Sequence, residues 1–152
     1  MIKVMFVCHG NICRSPMAEF VFRDMVKKAE LGDKIYVASS ATSTEEIGNG
    51  VHHGTRRKLA QYGISTDGKF AVQFTKSDYK NYDYIVAMDS MNIRNINRII
   101  GNDTENKIYK LLDFTQRGGD IADPWYTGDF DRTYEDVYEG CIGLLEVIEC
   151  KL

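Results

Sequence analysis

Ile2-Lys3-Val4-Met5-Phe6-Val7, then Cys8-His9-Gly10-Asn11-Ile12-Cys13-Arg14-Ser15, then Pro16-Met17-Ala18-Glu19: this stretch decides the fold. Its first part is a short apolar run with β-branched side chains, the pattern of a strand buried on both faces. The middle part has no period and ends at Ser15-Pro16, which reads as a helix N-cap followed by proline at the first helical position. Met17, Phe20, Val21 and Met25 then recur at helical spacing, so a helix is expected to run to Lys28 or Ala29. A strand that passes through a short loop into a helix is the opening of a βαβ unit.

Working outward, residues 35–40 read as a second strand, 55–62 as a helix ending at Gly63, and 84–88 as a third strand. Residues 90–100 read as a helix that stops at Gly101, and 108–112 as a fourth strand. Tyr134, Val137, Tyr138, Cys141, Leu145 and Ile148 mark one face of a last amphipathic helix. Residues 113–130 lack periodicity and are expected to form a long ordered loop. The alternation predicts an α/β fold: one three-layer domain over residues 1–152, with a central parallel sheet of about four strands. Ligands of such sheets collect at the carboxyl ends of the strands. Two non-periodic segments should lie there, residues 8–15 and residues 113–130.

Composition narrows the function classes. A length of 152 residues suits one domain, and 43% hydrophobic with 27% charged side chains excludes disordered and fibrous classes. The net charge of −3 disfavours a protein that binds nucleic acid through a basic surface. Four cysteines are too few for a disulfide scaffold, and no apolar run approaches a signal-peptide core or a membrane span. A soluble cytoplasmic protein with reduced thiols is therefore expected, with neither nucleic acid nor membrane as a partner. Cys8 and Cys13 lack metal-pair spacing and His52-His53 has no partner motif, so no metal or other cofactor is expected. Arg56, Arg57 and Lys58 read as a solvated helix face.

The loop of residues 8–15 carries the chemistry. The first N–H groups of a helix have no internal partner, and a loop wrapped about one point can aim several at a single phosphate. Arg14 adds a planar fork that matches two phosphate oxygens. No Gly-x-x-x-x-Gly-Lys-[Ser/Thr] is present, so this is not a nucleotide cradle. Cys8 stands instead at the base of the nest, where N–H donors, the helix dipole and Arg14 favour a thiolate nucleophile facing phosphorus. A cysteine with an arginine six residues on is, by itself, most often a structural cysteine. Its place in a strand-to-helix turn shifts the balance to function.

Val7-Cys8-His9-Gly10-Asn11-Ile12-Cys13-Arg14-Ser15-Pro16-Met17-Ala18-Glu19 resembles the signature of the low-molecular-weight protein tyrosine phosphatases. Ala41-Thr42-Ser43-Thr44-Glu45-Glu46-Ile47-Gly48-Asn49, Met88-Asp89 and Asp123-Pro124-Trp125-Tyr126 resemble the same family in its usual order. The resemblance implies that Cys8 attacks phosphorus to form a phosphocysteine, while Arg14 and the loop N–H groups bind the phosphoryl oxygens. It implies Asp123 as general acid and then general base, and Trp125 and Tyr126 as an aromatic wall for a phosphotyrosine ring. His9, Gly10, Asn11, Ile12, Cys13 and Ser15 complete the substrate loop, with Asn11 and Ser15 holding its shape. The resemblance also implies Cys13 as the partner for a reversible disulfide with Cys8 under oxidation. Asp89 is read as the cap of the helix that starts near Ser90, and by resemblance as a loop-positioning residue.

Two departures stand out. Family members often carry a histidine and an arginine before the third helix, where Lys69 and Val72 stand, and an aromatic at the pocket edge, where Glu45 stands. Three rival readings share the loop: an arginine phosphatase, an arsenate reductase, and a catalytically silent phosphate-binding or redox-sensing module. The arsenate relay needs further cysteines in mid-chain, and none occurs between Cys13 and Cys141. Arginine phosphatases place a threonine after the asparagine, where Ile12 offers apolar methyls suited to an aryl ester. The silent module would have no use for Asp123.

Overall fold

The computed structural model describes residues 1–152. Strand β1 (Ile2–Cys8) has buried side chains on both faces from Val4 onward, as its apolar run requires. It is flanked by β2 (Ile35–Ala41) and β3 (Tyr84–Ala87), and β4 (Ile108–Lys110) extends the sheet beyond β3. All three pairings are parallel and the strand order is β2-β1-β3-β4, with Cys8 opposite Ala41 and Val7 opposite Ala87.

The period-2 geometry of β1 divides the interior into two cores. Val4, Phe6 and Cys8 join the larger one, with Met17 and Phe22 of α1 (Arg14–Lys28) and Val137 and Leu144 of α6 (Phe130–Glu149). Phe6 and Phe22 meet edge to face with centroids 5.7 Å apart. Met5 and Val7 join the smaller core, with Tyr79 of α3 (Lys76–Asn81) and Ile96 and Ile100 of α4 (Ser90–Ile100). Helix α2 (His53–Ala60) contacts α1 and α6, and α5 (Pro124–Thr127) is a single turn before α6. Helices thus cover both faces, the expected three-layer α/β arrangement.

Several boundaries differ from the sequence reading. Helix α1 starts at Arg14, so Ser15 is not its N-cap, and Cys13 holds the cap position without a side-chain bond. The Ser15 hydroxyl is drawn into the loop instead, as described below. Strand β4 is shorter than expected because Leu111–Phe114 turns into a 3-10 helix. That turn presses against α6 so closely that a Cβ on Gly143 would lie 1.9 Å from the Phe114 carbonyl oxygen. Only glycine fits there, and the contact anchors the start of the long segment leading to Asp123. Helix α3 was hidden because only Tyr79 in it is buried; a Thr75–Asp78 capping box starts it. Arg56 and Arg57 are exposed as expected, but Lys58 is half-buried: its ammonium pairs with Asp131 at 2.8 Å and lies over the Tyr62 and Tyr134 rings.

Candidate active site

The segment joining β1 to α1 folds around the Cys8 sulfur. The N–H of Asn11 is directed at Sγ at 3.3 Å, and the Ser15 hydroxyl lies 3.0 Å from it. The N–H groups of Gly10, Ile12, Cys13, Arg14 and Ser15 have no partner within the protein, as expected of a loop entering a helix N-terminus. Such a cluster of donors suits a dianion.

Asn11 holds the loop in shape at a conformational cost. Its φ of +59° is left-handed, a region that asparagine tolerates and most residues avoid. Three bonds pin its side chain. Oδ1 accepts from Val72 N–H at 3.1 Å, and Nδ2 donates to Ser15 Oγ at 2.8 Å and to Ser39 Oγ at 2.9 Å. Because Nδ2 can only donate, Ser15 accepts there and keeps its own proton for the Cys8 sulfur. Val72 takes part through its main chain alone, so the side chain at that position is free to vary.

The chain of bonds continues inward from Ser39. Its hydroxyl donates to the buried Glu19 carboxylate at 2.5 Å, and Lys69 Nζ donates to Ser39 O at 2.9 Å and lies 3.4 Å from Glu19. Arg23 binds the other Glu19 oxygen. Lys69 therefore completes the network through a charge pair with Glu19.

Arg14 is 2% exposed and its guanidinium is fully engaged at one edge. Nη1 donates to Asp89 Oδ2 at 2.6 Å and to Ile121 O at 2.9 Å, while Nη2 lies 3.4 Å from Asp123 Oδ2. Burial opposes its charge, but Cys8, Asp89 and Asp123 outweigh that and raise its pKa, so it stays cationic. Asp89 also caps α4 by accepting from Asn92 N–H at 2.7 Å. Both readings of Asp89, cap and positioner, hold at once.

Asp123 reaches the site from the far end of the chain. Ile121 N–H donates to Met88 O at 2.9 Å, tying the segment to the end of β3. The Asp123 Oδ1 then accepts from Trp125 N–H at 3.1 Å, and Pro124 sits inside the first turn of α5. The Asp-Pro pair is thus the cap and first residue of a short helix inside the segment expected to be all loop.

These parts enclose a cleft of about 390 Å³ lined by Cys8, His9, Gly10, Ile12, Cys13, Arg14, Glu45, Glu46, Asp123, Trp125 and Tyr126. Asn11 and Ser15, expected among the substrate contacts, lie beneath the loop and are buried. Glu46 is the lining residue the sequence reading left out, although it adjoins Glu45 in the quoted motif. Trp125 is 57% and Tyr126 84% exposed, so both form an open rim. His9 Nε2 and Glu45 Oε2, also in the lining, meet at 3.0 Å. The Cys13 thiol is pushed up to about 12, first by burial and then by Cys8 and Asp123, so it stays protonated. No three His, Cys, Asp or Glu side chains are grouped to hold a metal ion, and no helix is long and apolar enough to cross a membrane.

A family model described as low molecular weight phosphotyrosine protein phosphatase matches residues 3–152. The chain belongs to that family. The chain is 42% identical over 151 residues to the low molecular weight protein-tyrosine-phosphatase YfkJ of Bacillus subtilis, covering 98% of this chain and 97% of that protein. The crystal structure of YfkJ superposes with a TM-score of 0.96 over 99% of this chain and 96% of its own. A low molecular weight protein tyrosine phosphatase from Streptococcus pyogenes is 44% identical, with a TM-score of 0.85, covering 96% of this chain and 92% of that one. Drosophila arginine phosphatase is 29% identical with a TM-score of 0.88, covering 97% of this chain and 98% of that one. The phosphatase is a cysteine-dependent phosphoric monoester hydrolase, the general property of its family.

Proposed function

We propose that this one-domain protein, residues 1–152, is a cytoplasmic protein tyrosine phosphatase that hydrolyses phosphotyrosine and small aryl phosphates. The observation that carries the reading is the convergence of Cys8, Arg14 and Asp123 on one cleft with an aromatic rim. The Cys8 thiolate attacks phosphorus and the P–O bond to the aryl group breaks. Asp123 gives its proton to the leaving phenolate oxygen, and a phosphocysteine remains. Asp123, now a carboxylate, takes a proton from water as the water oxygen attacks phosphorus. The P–S bond breaks, and phosphate and the thiolate are released. Throughout, Arg14 and the free N–H groups hold the three non-bridging oxygens, whose charge they stabilise most in the transition state. Ser15 donates its proton to the sulfur and supports it as a leaving group.

An aryl substrate fits the cleft because Ile12 contributes an apolar side chain to its lining and Trp125 and Tyr126 form its wall. The test is hydrolysis of phosphotyrosine, phosphoarginine and an aryl phosphate, together with arsenate reduction, by wild type, Cys8→Ser and Asp123→Ala. Wild type is expected to prefer phosphotyrosine and to trap phosphate on Cys8 after acid quench. Preference for phosphoarginine or arsenate would replace the substrate assignment, and turnover by Cys8→Ser would refute the covalent route.

A further inference from the structure

The phosphate loop and the acid-bearing segment meet through Arg14 inside the cleft, and through a second residue behind it. His52 donates its main-chain N–H to Ile12 O at 2.9 Å, which ties it to the phosphate loop. Its Nδ1 accepts from Gly54 N–H at 3.0 Å and closes the N-terminus of α2. The same imidazole stacks on Phe130 with centroids 5.3 Å apart and planes 15° apart, and meets Trp125 edge-on at 5.6 Å. Trp125 follows Asp123 by two residues and Phe130 is the first residue of α6, so the ring touches both the short helix that Asp123 caps and the start of the helix that follows it. Gly54 makes this packing possible, since a Cβ there would lie 2.4 Å from the Phe130 ring. His52 does not line the cleft.

We infer that His52 is a positioning residue for the general acid: through Trp125 and Phe130 it sets where the Asp123 carboxyl stands over the phosphate loop. The inference rests on the reading of Asp123 as the acid. Aromatic stacking supplies a stiff, directional contact, and misplacing an acid by an ångström is enough to uncouple proton transfer from bond breaking. The donor from Gly54 requires an unprotonated Nδ1, leaving the ring proton on Nε2. Burial and the stacked His53 lower the His52 pKa, while Asp123 and Glu46 oppose them, so a neutral ring is the one that fits.

Proton delivery can be read separately from phosphate binding. A 4-nitrophenyl leaving group needs little help from an acid, whereas an unsubstituted phenyl group needs much. His52→Asn keeps an acceptor for Gly54 N–H and removes the stack. It is expected to lower kcat/KM for phenyl phosphate about tenfold more than for 4-nitrophenyl phosphate, with competitive inhibition by inorganic phosphate unchanged. His52→Phe, which keeps a ring, is expected to restore the wild-type ratio between the two esters. Gly54→Ala, whose Cβ would displace the Phe130 ring, is expected to reproduce the selective loss and serves if His52→Asn folds poorly. Equal losses on both esters, or a parallel change in phosphate inhibition, would overturn the inference. Asp123→Asn is the reference: a selective loss there without one in His52→Asn sinks only the role of His52. No selective loss in Asp123→Asn sinks the acid assignment itself.

Discussion

Asp89 holds Arg14 with one carboxylate oxygen and caps α4 with the other, Oδ2 accepting from Arg14 Nη1 at 2.6 Å and Oδ1 from Asn92 N–H at 2.7 Å. The helix that follows β3 thereby fixes the arginine that follows β1, and the two sides of the parallel sheet are joined at its carboxyl edge. Asp89→Asn keeps an oxygen for the cap but loses the charge-assisted bond. It should lower kcat/KM about tenfold with stability nearly unchanged, whereas Asp89→Ala should also lose about 1–2 kcal/mol of stability. Steady-state kinetics and urea unfolding of the two variants make the comparison; equal activity in Asp89→Asn and wild type would remove Asp89 from the site.

Lys69 stabilises the loop from below. Glu19 is buried and is held by Lys69, Arg23 and Ser39, so removing the ammonium leaves part of its charge uncompensated. Lys69→Met should cost about 2 kcal/mol of stability, below the usual loss for breaking a buried pair because Arg23 remains. Lys69→His should retain part of it. A urea midpoint for Lys69→Met equal to that of wild type would show that the charge pair contributes nothing.

The thiols should sort by reactivity. Cys13 is raised to about 12 and fully buried Cys141 is raised by burial, while Cys150 is exposed and Cys8 opens into the cleft. Thiolate is the alkylated species, so at pH 7 only about one Cys13 in 10⁵ is reactive, and at pH 9 still about one in 10³. Iodoacetamide should label Cys8 and Cys150, spare Cys13 and Cys141, and be blocked at Cys8 by inorganic phosphate. Rapid labelling of Cys13 in peptide mapping contradicts this ordering.

Glu45 places a carboxylate beside His9 on the rim, and Glu46 lines the cleft next to it. Phosphotyrosine peptides with basic flanks should therefore be hydrolysed with a kcat/KM about three- to tenfold above acidic ones at low ionic strength, with the gap closing as salt is added. Glu45→Lys should reverse the preference. Identical values for both peptide classes in the wild type would remove Glu45 from substrate selection.

How much of this was legible without coordinates depends on the range of each interaction. The strand, loop and helix at the start of the chain are encoded locally: a β-branched run is a strand and Cys8 to Arg14 breaks the pattern. The one local error, Ser15 as cap, arose because its hydroxyl serves a long-range partner network through Asn11 and Ser39. Helix α3 escaped notice because a six-residue helix with one buried side chain has no period to detect. In α5 the cap was readable in Asp123-Pro124, but a single turn in an aperiodic segment leaves too few apolar positions to count.

By family resemblance the sequence points to Asp123 as the acid, and by itself it determined an α/β order of elements and an anion cradle around Cys8 after β1. Hydrophobic period and local backbone preference suffice for that, because they act over a few residues. Only the tertiary structure decided that Lys69 joins the Glu19–Ser39 network, that Asp89 serves Arg14 and α4 together, and that His52 stands between the two loops. Such contacts join residues distant in sequence. They exist once the parallel sheet brings the ends of β1, β2 and β3 side by side, and no spacing along the chain encodes them.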